Sequence, residues 1–375
     1  MIILSFIRGF CNNQRLRSEV DNTKLSKINL LIGIVITVAI VIALVIILRT
    51  TMTTDKKTTI GNVFTYDIKE FSKTDPNLIK YKEISKIKTG LQNPCAIATD
   101  SSDRIYVAGD RAVRIFNNQG NVLSEIKLND SPQCLTIADD GSIYIGMKEH
   151  IEIYNLTGKL IKKWNSLGQN VVITAIAVSG DDIFIADAGR KIVLRYDIFG
   201  KPKATIGKRN PDKGIPGFVI PSPYFDLAVA PDGLLKVVNP GLHKIESYTI
   251  NGDLESSWGE TSIDIKGFSG CCNPVNIAIL SDGEFVTCEK GIPRVKVYNS
   301  KGNFDSVVAG AESFADTVGI YNPAETKDCS AKALDVAVDS KDNMLVLDPV
   351  EKTIRKWMKK HGDTEARREL GKDGG

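Results

Sequence analysis

The stretch Ile176-Ala177-Val178-Ser179-Gly180-Asp181-Asp182-Ile183-Phe184-Ile185-Ala186-Asp187, followed by Lys191-Ile192-Val193-Leu194-Arg195-Tyr196, decides the fold. It reads as an apolar-Ala-apolar strand, a Gly/Asp turn, a second strand, and a third strand ending in an aromatic. A turn at Gly200-Lys201 then leads into a fourth strand near Lys203 to Ile206. The same sentence starts six times, at Ile97, Leu135, Ile176, Leu227, Ile277 and Val336, with spacings of 38, 41, 51, 50 and 59 residues. Phe116, Tyr154, Tyr196, Tyr248, Tyr298 and Trp357 end the third strands. A repeat on the order of 40–50 residues made only of short strands predicts a β-propeller, because one such blade cannot bury its own faces. The expectation is an all-β, six-bladed propeller over residues 78–358.

The last copy stops after its third strand at Trp357, and residues 359–375 form a charged tail. An unpaired sheet edge invites aggregation. Leu78 to Lys88, ahead of the first copy, reads as the missing fourth strand, so residues 78–88 are expected to close the ring on blade 6.

Ile28 to Leu48 is a run of 21 residues without a charge. At about 1.5 Å per residue it spans a hydrocarbon core of about 30 Å. Arg8, Arg15, Arg17, Lys24 and Lys27 precede it, against Arg49, Lys56 and Lys57 just after it, which favours a cytoplasmic N-terminus. Val45-Ile46-Ile47-Leu48-Arg49 offers no small-residue cleavage site, so the run reads as a retained signal anchor. The expected order is a cytoplasmic tail (1–27), an anchor in the lipid bilayer (28–48), a tether (49–77) and a propeller on the periplasmic side of a bacterial inner membrane. The tether opens with a Thr/Lys stretch, Thr50 to Thr59, that lacks the apolar content to pack, while Phe64 to Asp75 is expected to be partly ordered against the propeller. A net charge of +3 excludes a strong nucleic-acid footprint.

Asp187-Ala188-Gly189-Arg190-Lys191-Ile192-Val193 and Asn239-Pro240-Gly241-Leu242-His243-Lys244-Ile245 resemble the core of the NHL repeat. Gly270-Cys271-Cys272-Asn273-Pro274, followed by Glu289-Lys290-Gly291-Ile292-Pro293-Arg294, resembles bacterial membrane-anchored NHL proteins of unassigned role. The resemblance covers about residues 79–358 and implies a fold without implying an activity. The peptide-amidating lyase that shares this fold depends on several His ligands. This chain has three histidines, His150, His243 and His361, the last of them in the tail, and so departs from that pattern.

Links between blades and links from second to third strands are expected to share one face. The longest are 208–223, 261–273 and 309–330, after blades 3, 4 and 5, which points to a loop-rich working face. Of seven cysteines, Cys11 precedes the anchor. Cys95, Cys134, Cys271, Cys272, Cys288 and Cys329 all map to that same end of the ring. Three readings compete for them: at least one disulfide staple, buried thiols acting as small apolar fillers, or metal or redox chemistry. Cys271, Cys272, Cys288, Glu289, Lys290 and Arg294 form the candidate binding face, with Glu289, Lys290 and Arg294 read as exposed.

Asp226, Asn276 and Asp335 precede the inner-strand apolar residues of consecutive blades and point toward the axis. Three oxygen ligands there could hold a hard cation such as Ca²⁺, resembling the channel site of gluconolactonase-type propellers. No cofactor is expected otherwise. Three functions follow from these residues: a scaffold binding a periplasmic or membrane protein or peptide, a metal-dependent hydrolase or lyase, or a thiol-redox or metal-cluster partner. The first is preferred, because catalytic residue types are sparse and the loops are long.

Overall fold

A computed structural model describes residues 31, 34–46, 73–314 and 332–360. The chain divides into two units, 1–66 and 67–375. In the first, residues 34–46 are helical and their aliphatic side chains are exposed. No described helix is long and apolar enough to cross a membrane. Both ends of the expected span, the N-terminal tail, residues 361–375, Cys11 and Cys329 lie outside the described residues, and the expected tail residue Lys359 is the last residue of the final strand.

Among its described residues, the second unit forms six four-stranded antiparallel sheets. A first strand, β1 (Tyr81–Lys88), precedes blade 1, which is β2 (Pro94–Thr99), β3 (Ile105–Gly109), β4 (Ala112–Phe116) and β5 (Val122–Lys127). Blade 2 is β6 (Cys134–Ile137), β7 (Ile143–Gly146), β8 (Ile151–Tyr154) and β9 (Leu160–Lys163). Blade 3 is β10 (Ile173–Ser179), β11 (Asp182–Asp187), β12 (Ile192–Asp197) and β13 (Pro202–Ile206). Blade 4 is β14 (Leu227–Val229), β15 (Leu235–Asn239), β16 (Lys244–Tyr248) and β17 (Leu254–Trp258). Blade 5 is β18 (Asn276–Ile279), β19 (Phe285–Cys288), β20 (Val295–Tyr298) and β21 (Phe304–Ala309). Blade 6 is β22 (Asp335–Val338), β23 (Met344–Asp348) and β24 (Thr353–Lys359), with β1 as its outermost strand.

β1 runs antiparallel to β24, with Lys88 opposite Thr353, Ile87 opposite Ile354 and Tyr81 opposite Lys359. The first strand of the unit therefore completes the last sheet, and no blade is left with three strands. Middle strands are buried on both faces, as in β3 and β23, because each lies between two neighbouring blades. Outer strands such as β5 are largely exposed.

The tryptophans and the turn glycines join the blades. Trp164, following β9, stacks on Tyr196 of blade 3 at 5.3 Å, and Trp258 of blade 4 meets Phe285 and Tyr298 of blade 5 at 4.9 and 4.8 Å. Gly302, in the turn before β21, has φ +83°, and a Cβ there would fall 2.3 Å from Trp258 Cγ. Glycine is needed twice over: for the left-handed backbone and for close approach to the preceding blade.

The long links are less open than their length suggests. In 208–223, Ile215, Phe218 and Ile220 are buried, and Phe218 packs on Phe225 and Tyr248 at 4.9 and 5.8 Å. In 261–273, Phe268 is fully buried beside Tyr298. These aromatics fill the wedges between blades 3, 4 and 5, so much of the extra chain is consumed by packing. Most of the third long link lies outside the described residues.

Candidate functional site

Inner strands from all six blades surround an axial cavity of about 480 Å³. Its mouth lies where these strands begin, at Asn93, Gln133, Thr174, Tyr224, Asn276 and Lys332. A second depression, of about 440 Å³, lies at the opposite end of the axis among the turns near Asp139, Ser179, Pro231 and Ser281.

The axial positions singled out in the sequence do sit on this cavity, where they clasp one blade to the next. Asp226 accepts from its neighbour Leu227 N at 2.8 Å and from Ile277 N in blade 5 at 2.8 Å. Asn276 in blade 5 donates its amide to Leu334 O ahead of blade 6 at 2.7 Å. Asp335 accepts from Val336 N and from Ile97 N of blade 1, both at 2.9 Å. Thr174 donates to Phe225 O at 2.6 Å and Cys95 Sγ to Pro132 O at 3.3 Å, extending the same device to two further seams.

Burial drives the electrostatics of this ring. It pushes the Asp226 carboxyl up to about 8, with the Asp335 charge adding to the rise and the two backbone amides opposing it. Asp335 is pushed up to about 6, again by burial and against its two amides. The donor set is a poor fit for a hard cation. Each carboxylate oxygen is committed to a backbone N–H, desolvation favours the neutral acids, and Asn276 turns its N–H toward Leu334. Among the described residues, no three His, Cys, Asp or Glu side chains group as a metal site.

The second constellation lies in blade 5 and corrects the expectation of exposed charges. Glu289 and Lys296 are 0% exposed, Arg294 2% and Lys290 9%, so none is a solvated loop charge. Glu289 pairs with Arg294 at 2.9 Å and with Lys296 at 2.7 Å. Lys296 also donates to Gly267 O at 2.6 Å and Ile265 O at 3.0 Å, with its ammonium 4.7 Å from the Phe268 ring. Burial pushes Lys296 down to about 8, Glu289 opposing and Arg294 assisting. This ion cluster ties the 261–273 link to β20. Sequence reading missed Lys296 because a Lys in a strand is normally an outward side chain.

The Gly270-Cys271-Cys272-Asn273-Pro274 stretch folds against Lys290. Asn273 accepts from Lys290 N at 2.8 Å and donates to Lys290 O at 2.9 Å and to Ser269 O at 2.6 Å. His243 of the preceding blade meets Gly270 O at 2.6 Å, while its other ring nitrogen meets Thr261 at 2.9 Å. The Lys290 ammonium donates to Ser222 Oγ at 3.0 Å and lies 4.7 Å from the Tyr224 ring. Ser222 and Tyr224 belong to the link after blade 3. Nothing in the sequence pairs them with Lys290; the meeting is a product of the ring.

None of the five described cysteines is in a disulfide, so the expected staple is not found among the described residues. Cys95 and Cys134 border the axial cavity, whereas Cys271 and Cys272 sit in the link before β18. Burial pushes Cys134 and Cys288 well up, with carboxylates adding to both, so they behave as small apolar fillers. Cys272 goes the other way. Burial raises it, but hydrogen bonds from Ser222, Cys271 and Lys290, joined by the Lys290 charge, bring it below the ordinary thiol value.

No protein-family model and no curated protein matches the chain. Solved structures do share its fold. A structural-genomics protein of unknown function from Bacteroides thetaiotaomicron VPI-5482 is 14% identical with a TM-score of 0.54, over 74% of this chain and 75% of that one. A catalytically inactive variant of virginiamycin B lyase from Staphylococcus aureus with quinupristin is 15% identical with a TM-score of 0.50, over 74% of this chain and 99% of that one. At such identities the likeness is one of fold alone.

Proposed function

We propose that this chain is a membrane-tethered, extracytoplasmic propeller of the NHL type that binds a protein or peptide segment at the mouth of its axial cavity. The observation that carries this reading is the chemistry of that mouth. Asn93, Gln133, Thr174, Tyr224 and Asn276 line it with uncharged polar groups, Lys332 supplies one cation, and the carboxylates below are committed to the clasps. Uncharged donors and acceptors around a concave, six-sided opening suit the amides of a peptide better than a charged metabolite. Tethering is supported by the uncharged run Ile28 to Leu48 and by the basic residues before it.

The test takes residues 73–375, made without the apolar run, and recovers partners by crosslinking in solubilised membranes, followed by calorimetry with each purified candidate. Gln133→Trp, which fills the mouth, should weaken binding at least about tenfold, or about 1.4 kcal/mol. Asp139→Trp, at the opposite end of the axis, should leave it unchanged. Equal effects from both substitutions, or none from Gln133→Trp, would overturn the assignment of the mouth.

A further inference from the structure

On the outer side of Tyr224, which also lines the axial mouth, two sulfurs stand side by side. Cys271 Sγ and Cys272 Sγ are 3.2 Å apart, the first residue exposed and the second buried. The Ser222 hydroxyl and the Lys290 ammonium, 3.0 Å from one another, both hydrogen-bond the Cys272 sulfur. Both backbone hydrogen bonds of Lys290 go to Asn273, the residue after the cysteine pair, which fixes the main chain from which the ammonium reaches this sulfur. The Tyr224 ring closes the far side of the ammonium at 4.7 Å.

Three links of the chain therefore converge on one thiol: 208–223 through Ser222, the Cys-Cys stretch itself, and the turn after β19 through Lys290. The other described thiols on this side of the ring lack such a setting. Cys134 and Cys288 are buried among apolar residues, and Cys95 donates to Ala108 O and Pro132 O. A positive charge beside a sulfur favours the thiolate, and the thiolate is the nucleophile. The same charge disfavours a thiophilic cation between the two sulfurs, which argues against a metal at this pair.

We propose that Cys271 and Cys272 form a peroxide-reactive dithiol, with Cys272 as the attacking sulfur and Cys271 as its resolving partner. The oxidant is a small hydroperoxide. The Cys272 thiolate attacks the near peroxide oxygen; an S–O bond forms, the O–O bond breaks, and the leaving hydroxide or alkoxide takes a proton from Lys290 or water. Cys271 then attacks the sulfenic sulfur; an S–S bond forms, the S–O bond breaks, and water leaves with the Cys271 proton. Two thiols and one hydroperoxide give one disulfide, one water and one water or alcohol. Because Asn273 joins this stretch to Lys290 in the turn after β19, oxidation would alter the loop-bearing side of blade 5.

The test exposes the reduced protein to hydrogen peroxide, blocks remaining thiols with N-ethylmaleimide and identifies products by mass spectrometry. The tryptic peptide Gly267–Lys290 carries Cys271, Cys272 and the buried Cys288 as an internal reference. The expected product in the wild type is loss of two hydrogens across Cys271 and Cys272, reversed by dithiothreitol, with Cys288 still alkylatable after denaturation. In Cys271→Ser, dimedone should trap a sulfenic acid at Cys272. Lys290→Met should slow oxidation about tenfold while Lys290→Arg retains most of the rate. Cys272 reacting no faster than Cys95, or oxidation confined to Cys271, would overturn the proposal. The Cys271→Ser measurement stands by itself if Lys290→Met fails to fold.

Discussion

Asp226 and Asp335 each hold an inner strand of the next blade by a backbone amide, with a carboxyl group buried on the axis. In the unfolded chain Asp226 gives up its proton near 3.8, and in the folded protein near 8. Between those values the native state holds more protons than the unfolded one, so stability falls as pH rises through that window. Asp335 contributes the same sign over the narrower window from 3.8 to about 6. Asp226→Asn keeps one acceptor and removes the titration. Urea unfolding across pH ~5 to ~9 should show the variant gaining on the wild type with rising pH; a difference that does not change with pH would count against a buried, titrating clasp. The Glu289 cluster behaves differently, because it is one anion between two cations. Glu289→Gln leaves Arg294 and Lys296 buried without a counter-charge and should cost about 3–5 kcal/mol, read by calorimetry. A loss under about 1 kcal/mol would mean that water reaches this cluster.

At the scale of elements, β1 is the strand on which closure of the ring depends. It adds Tyr81 to a buried cluster and covers the edge of β24 along its length. A chain beginning at Thr89 should lose cooperative unfolding and associate through the bare β24 edge, visible as light scattering at concentrations where the full unit is monodisperse. Retention of a sharp, monomeric transition would show that three strands suffice for blade 6. The same scale explains why turn glycines recur before the fourth strands: Gly302 lies under Trp258, and Gly200 under Trp164, whose ring atoms come within 3.2 Å of a built Cβ. A local turn signal in the sequence is thus also a long-range packing requirement.

For the whole molecule, the ring converts sequence-distant links into neighbours. Ser222 and Lys290 are 68 residues apart, and Asp335 and Ile97 are 238 apart, yet each pair is joined by one hydrogen bond. The mouth of the axial cavity and the meeting of Ser222 with Lys290 beside Cys272 exist only because the blades close. The comparison with virginiamycin B lyase reaches this level and stops there, since radial sheets accept many chemistries.

The strands, their number per blade and the count of blades were legible in the sequence because period-two alternation and turn residues act over a few positions, and the repeat made each reading check the others. So was the axial placement of Asp226, Asn276 and Asp335, which follows from the phase of each inner strand. What these side chains do was not legible, because their partners Ile277, Leu334 and Ile97 are brought to them only by the neighbouring blade. The burial of Glu289, Lys290 and Arg294, the packing of Phe218 and Phe268 into inter-blade wedges, and the setting of Cys272 were decided by tertiary structure alone. Local sequence carries the period of a strand; which charge is desolvated, and against what, depends on surfaces contributed from elsewhere in the ring.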